Sequence, residues 1–279
     1  MHPLVNHLIQ LQELALIRDE QRIAPRKGGR LEQLDEAIGR MTQQLPPNIR
    51  EQFVKLHKKD HIVMSPVADG LCALCSMRLP ISLVQAVRMA KAVHSCPNCA
   101  RLLYYPQAAP KWVGIQPRRT APRKAGVSRF SSHTLMIPRL EATNKEQAIR
   151  ELADKMEEEG FVDSGSKLLE MALRREVILS TGLDHGLAIP HARGVEGGGL
   201  TLACGLSRKG LDWGNQSRGA TRIVFFLAIP TAASAFYLKL LAGLMETFMH
   251  AEARKVFLAS KDAEAMWKTL CKITRATIK

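Results

Sequence analysis

Apolar residues recur at Leu4, Leu8, Leu11 and Ala15, and again at Leu31, Leu34, Ile38, Met41 and Leu45. Steps of three and four place each set on one seam of a helix. Pro25 and Gly28-Gly29 lie between the two seams, where an antiparallel hairpin would turn. Pro46-Pro47 stops the second helix, and residues 48–59 are expected to form a short third. Residues 1–60 therefore read as a helical, coiled-coil hairpin, a spacer or interaction arm with no chemistry in it.

The periodicity then breaks. Residues 61–106 carry four cysteines in two close pairs, and residues 107–134 are rich in Pro, Lys and Arg with no acidic residue. The second stretch is expected to be a linker, reaching on the order of 90 Å if extended. From 135 onward strands and helices interleave. Thr143 and Glu146 have capping-box spacing before a helix reaching Glu159, and Asp163 is placed to cap the next, which ends near Arg175. Residues 200–207 and 222–229 read as strands, the second apolar enough to be buried on both faces. Helices over 234–249 and 262–274 follow. Residues 135–279 thus form an α/β domain, a mixed sheet flanked by helices.

Composition narrows the setting. The 279 residues are 46% hydrophobic, yet no apolar run approaches the ~20 residues of a membrane span. The start, MHPLVNHLIQLQEL, lacks the charged start, apolar run and cleavage site of a signal peptide, so the expected location is cytoplasmic. The net charge of +14 is concentrated in residues 1–135, with 20 Lys/Arg against 9 Asp/Glu. Two readings stand level there: a solvated basic surface, or an acidic partner such as nucleic acid, an acidic protein or anionic lipid.

Cys72 and Cys75 form one pair and Cys96 and Cys99 the other, twenty residues apart. A two-residue gap lets one turn present two sulfurs, and two such turns complete a tetrahedron around zinc. Four protein ligands leave no open position, so the expected Zn2+ is structural. Two redox pairs or unrelated thiols are the alternatives. Cys204 and Cys271 sit singly in apolar surroundings and are expected to be buried thiols. The hairpin followed by LCALCSMRLP and SCPNCARLLYYP resembles the coiled-coil C4-type zinc-ribbon family over residues 1–106. Tyr104 and Tyr105 beside Arg101 can stack on bases or pack beneath the ribbon.

The stretch 181–193, TGLDHGLAIPHAR, brings His191 to the end of a short apolar segment. Pro190 stiffens the approach, and Gly182 and Gly186 permit close backbone approach to an anion. On the residues alone, His191 is a base, a ligand, a nucleophile or a satisfied structural histidine. The stretch resembles the active-site signature of the fructose/mannitol/nitrogen-type enzyme IIA domains of the bacterial phosphotransferase system, a likeness running over residues 135–279. It implies that His191 accepts a phosphoryl group from the histidine phosphocarrier protein. It also implies that Arg175, in the pair Arg175-Glu176, is a guanidinium clamp on phosphate. Thr181 either bonds the phosphate, orients His191 or shapes the turn. Two positions depart from the family. Tyr237 stands where a second histidine is usual, and Ser217-Arg218-Gly219 replaces the usual Asp-Gly. His185 is the candidate to stand in for the missing histidine.

Two functions follow. In the first, the chain is a phosphohistidine carrier of the phosphoenolpyruvate-dependent phosphotransferase system that feeds a IIB partner or acts as a regulator. In the second, the zinc ribbon binds nucleic acid or protein, and the IIA domain is a sensor or scaffold.

Overall fold

Three helices open the chain in a computed structural model that describes residues 3–24, 31–106, 125–196, 199–214, 219–230 and 233–279. They are α1 (Pro3–Ile23), α2 (Leu31–Gln43) and α3 (Pro47–Asp60). The expected seams are helical except at Leu45, which lies beyond the end of α2; the turn at Pro25 and Gly28-Gly29 lies outside the described residues. The seams do not close on each other alone. Leu8, Leu11 and Ala15 of α1 and Ile38 of α2 share one core with Phe53, Leu56, Val63, Met64 and Leu102. The helices are a wall of a core that continues into strands, because two apolar stripes packed on a third element bury more surface than a bare pair. The expected hairpin helices of residues 1–60 thus share their core with the strands that follow.

Those strands are β1 (Met64–Ala68), β2 (Leu71–Cys72), β3 (His94–Ser95) and β4 (Leu102–Tyr104), with α4 (Ile81–Met89) between β2 and β3. Their order is β2-β1-β4-β3, the central pair parallel and the outer pairs antiparallel. Tyr104 packs against the helical core, where burial pushes its hydroxyl up to about 12. Tyr105 is half exposed, with the Arg88 guanidinium 5.6 Å above its ring.

The chain divides into two compact units, Met1–Ala108 and Ala109–Lys279. The second is a five-stranded mixed sheet covered by helices. Its strands are β5 (Met136–Ile137), β6 (Leu187–Ala188), β7 (His191–Val195), β8 (Thr201–Leu211) and β9 (Thr221–Pro230). Strand β8 runs antiparallel to β9, while β5 joins β8 and both β6 and β7 join β9 in parallel. The helices are α5 (Lys145–Glu158), α6 (Gly165–Ile178), α7 (Ser234–Phe248), α8 (Ala251–Leu258) and α9 (Ala263–Ile273). Strand β9 is buried on both faces except at Arg222, and Phe225 makes an edge contact with Phe248 at 4.8 Å.

Local details differ from the sequence reading. Asn144, not Thr143, caps α5: its side chain accepts from Gln147 N, and Gln147 Oε1 in return accepts from Thr143 N. Ser164 rather than Asp163 caps α6, which runs three residues past Arg175 to Ile178. Cys204 is fully buried, but Cys271 only half so.

Residues 107–124 of the expected linker lie outside the described residues, but 125–134 belong to the second unit. Val127 is buried, Phe130 O accepts from Leu202 N at 2.7 Å, and Ser131 Oγ donates to Leu202 O at 2.6 Å. A fragment spanning 125–279 is therefore expected to fold alone. One spanning 132–279 loses the Val127 side chain, worth about 1.5–3 kcal/mol, and both bonds to Leu202. Its melting midpoint should fall by roughly 5–10 °C, which thermal unfolding of the two fragments would measure. Equal midpoints would return residues 125–131 to the linker.

Candidate functional site

Strands β6 and β7 form one interrupted edge beside β9. Leu187 and Ala188 pair with Ile223 and Val224, and His191 to Arg193 pair with Leu227 to Ile229. Pro190 sits in the break and donates no backbone hydrogen bond, which an edge tolerates; its carbonyl still accepts from Leu227 N at 3.1 Å. His191 is thereby the first residue of β7, held by a strand rather than carried on a loop.

The imidazole is 2% exposed. Its Nδ1 lies 3.2 Å from Ile189 O, and a carbonyl only accepts, so Nδ1 carries the proton. That tautomer puts the ring's lone pair on Nε2. Tyr237, at the start of α7, is 1% exposed, with its ring centroid 5.3 Å from that of His191. The position that departs from the family is thus in contact with the histidine.

Thr181 meets the segment that leads into His191 through its backbone. Its carbonyl accepts from Ile189 N at 3.1 Å, while its Oγ1 donates to Glu176 Oε2 at 2.6 Å. The hydroxyl proton is thus given to Glu176. Arg175, buried at the end of α6, donates from Nη1 to Leu179 O at 2.7 Å. This bond holds the helix exit that leads into the Thr181 loop. His185 stands apart. It is exposed, and the next residue, Gly186, lies against Ala220 and Arg222, five residues back along β9 from Leu227. At ~3.3 Å per residue that is about 16 Å from His191. His185 does not replace the missing histidine. Ser217 and Arg218 lie outside the described residues.

Sequence reasoning passed over the hub of the loop, Glu176. Its carboxylate accepts from Ser180 Oγ (2.9 Å), Thr181 N (2.9 Å) and Trp213 Nε1 (3.1 Å) as well as Thr181 Oγ1. Trp213 lies 37 residues from Glu176, and no local pattern marks it. Gly182 is needed because a Cβ there would sit 2.7 Å from Trp213 Cδ1. Gly182→Ala should push the indole off Glu176, costing about 1–3 kcal/mol as overpacking does. Thermal unfolding would check the loss, and an unchanged midpoint would mean that the indole moves freely.

A cavity of about 420 Å3 lined by Ser207, Arg208, Arg222, Leu258, Ala259 and Lys261 opens near the start of β9, away from His191.

In the first unit the four cysteines meet. Cys72 and Cys99 sulfurs are 3.7 Å apart, those of Cys75 and Cys96 3.6 Å, and all four lie within 4.8 Å of one another. A disulfide needs about 2.05 Å. The two turns repeat one geometry. Ser76 N donates to Cys72 O and Ala100 N to Cys96 O, and Cys72 N and Cys96 N donate to Met77 O and Arg101 O. Ser76 and Ala100 both have positive φ. Burial opposes ionisation of Cys75, but bonds from the Asn98 side chain, the Met77 backbone and neighbouring thiols draw it down to about 6. Burial pushes Cys96 and Cys99 up.

Asp19, His57 and His61 form another group of potential ligand atoms. Here Arg18 Nη2 donates to Asp19 Oδ1 at 2.9 Å and to His57 Nε2 at 2.8 Å, while His61 Nδ1 is 2.8 Å from Asp19 Oδ2. Burial holds His57 below its ordinary range. The guanidinium already supplies the positive charge, so this is an ion network joining α1 to α3.

The structure thus sets a buried histidine, with Nδ1 on a backbone carbonyl, at the start of an edge strand of a mixed α/β sheet. Residues 130–273 match the family described as "Phosphoenolpyruvate-dependent sugar phosphotransferase system, EIIA 2". The chain belongs to this family through its second unit, which places it among the phosphocarriers or regulators of that system. It is 30% identical over 138 residues to a nitrogen regulatory protein of Bradyrhizobium diazoefficiens, covering 48% of this chain and 88% of that one. It is 28% identical over 129 residues to a fructose-specific EIIA component of Haloferax volcanii, covering 46% and 84%. A fructose-specific EIIABC component of Bacillus subtilis is 29% identical over 137 residues, and the chain spans only 21% of that protein's length. Nitrogen regulatory protein IIA-Ntr from Neisseria meningitidis aligns with a TM-score of 0.47 at 23% identity, over 51% of this chain and 97% of that one. Among the described residues no helix is long and apolar enough to cross a membrane.

Proposed function

We propose that His191 accepts a phosphoryl group on Nε2 from the histidine phosphocarrier of the phosphotransferase system and passes it to a IIB protein or holds it as a regulatory signal. The observation that carries this reading is the bond from His191 Nδ1 to Ile189 O. It fixes the tautomer before the donor arrives. The Nε2 lone pair attacks phosphorus, and the donor's nitrogen–phosphorus bond breaks, its electron pair returning to the donor imidazole. Nδ1 keeps its proton throughout, so no general base is required. Positioning and charge neutralisation are what remain for the protein to supply. Arg175, Glu176 and Thr181 hold the loop that sets His191, and Tyr237 borders its ring.

The four cysteines fit a structural zinc ion. Sulfurs 2.3 Å from a tetrahedral zinc stand about 3.8 Å apart, and the distances of 3.6 and 3.7 Å are close to that edge. With Zn2+ bound, residues 61–106 make a C4 ribbon built on two equivalent turns. Its presence in the same chain favours the regulatory branch, since sugar transport has no use for a second docking surface. The basic first unit suits an acidic partner, protein or nucleic acid.

Incubation with phosphoenolpyruvate, enzyme I and the phosphocarrier, followed by mass spectrometry at alkaline pH, should find phosphate on His191. A wild-type chain left unmodified while a control IIA domain is labelled would reject the carrier reading. Steeply salt-dependent binding to DNA or RNA would favour the nucleic-acid alternative.

A further inference from the structure

Family resemblance leaves a gap beside His191, where Tyr237 replaces a side chain able to carry charge. The strand that bears His191 fills it. His191 and Arg193 are two residues apart on β7, and both pair regularly with β9, the register shifting only beyond Arg193. Successive side chains of a strand alternate in face, so these two project from the same face with Cα atoms about 6.6 Å apart. Tyr237 confirms the parity. Its ring centroid is 5.3 Å from the His191 ring and 5.2 Å from Arg193 Cζ, so one aromatic borders both. A guanidinium over a ring is attracted by the ring's quadrupole, which fixes where its charge sits. Arg175, the other guanidinium near the motif, is tied through Nη1 to Leu179 O at the exit of α6.

We propose, on the assignment of His191 as phosphoryl acceptor, that Arg193 is a catalytic residue that contacts the phosphoryl oxygens, and that Tyr237 is the positioning residue holding its guanidinium beside His191. In transfer, the nitrogen–phosphorus bond forms at His191 Nε2 as the donor's breaks, and Arg193 donates N–H bonds to oxygens whose charge persists from reactant to product. The stacked pair does the work of a protonated histidine at position 237. Its cation does not titrate near neutral pH, because a guanidinium stays charged.

Rates of phosphorylation would be measured on the full chain with two donors, the phosphorylated carrier protein and phosphoramidate, a donor too small to need a docking surface. Arg193→Met should slow transfer about ten- to hundredfold with both donors, the loss of a charge-assisted bond. Arg193→Lys should recover part of the rate, and Tyr237→His placed in the Arg193→Met chain should restore more. Arg193→Gln serves if the Met variant misfolds by circular dichroism. An undiminished rate in correctly folded Arg193→Met or Arg193→Gln would overturn the proposal. So would a loss confined to the protein donor, which would make Arg193 a docking residue. A wild-type chain that takes no phosphate from either donor would instead remove the His191 assignment on which the proposal stands.

Discussion

His191→Ala is expected to accept no phosphoryl group, a loss of roughly a thousandfold or more that leaves only the assay background. His185, the other imidazole of the motif, does not reach the same surface. It is carried by the turn before β6, about 16 Å back along β9, and its alanine variant should keep most of the wild-type rate. Because His191 is buried against Tyr237, truncation also leaves a cavity, and some loss of stability will accompany the loss of chemistry. His191→Gln separates the two effects: it fills most of the volume and can bond Ile189 O but has no nucleophilic nitrogen. It should unfold near the wild-type midpoint and remain unlabelled. Phosphate recovered on His185, or on either His191 variant, would move the acceptor elsewhere.

The residues around His191 differ in how far the sequence discloses them. Pro190 and His191 are adjacent, and their segment is short, so a local motif suffices to find the nucleophile. The strands that carry it were not legible: β6 and β7 are two and five residues long and exist by pairing on β9, not by any alternation of their own. Glu176 drew attention only as the neighbour of Arg175, yet it receives the bonds from Ser180, Thr181 and Trp213 that shape the loop. Such a hub depends on a contact across 37 residues, which no spacing encodes. Arg193 lay inside the motif and was still missed, since its value depends on strand parity and on an aromatic from α7. In the first unit the CxxC spacing located the cysteine cluster directly. The helical seams, although real, misled about their partner, because a stripe states that a face is buried and not what buries it. The helix caps failed by one residue for a related reason. Thr143 and Asn144 both carry a capping oxygen, but Gln147 N donates to Asn144 Oδ1 while the Thr143 hydroxyl donates to Gln147 Oε1, which leaves Asn144 as the cap.

Removal of zinc is expected to melt residues 61–106 while the second unit stays folded. The apolar cluster around the cysteines consists of Val67, Leu79, Val87 and Leu103 with two of the cysteines themselves, Cys72 and Cys96. Four aliphatic side chains are a small core for a segment of this length. Structural zinc in small modules supplies roughly 10–16 kcal/mol of apparent binding energy at neutral pH, so the ion decides whether this segment is ordered. Thiolates bind the metal and protons compete for them, so affinity must fall as pH falls, and the segment should loosen first in acid. The wild-type chain should contain one zinc per molecule by elemental analysis. Cys99→Ser should contain little, and hydrogen exchange in that variant should accelerate across residues 61–106 but not across β8 and β9. The sheet shared with Met64 and Leu102 predicts that α1 and α3 lose part of their protection as well. A wild-type chain that carries no metal and shows the same exchange as Cys99→Ser would mean that the four sulfurs pack as thiols and the segment holds itself.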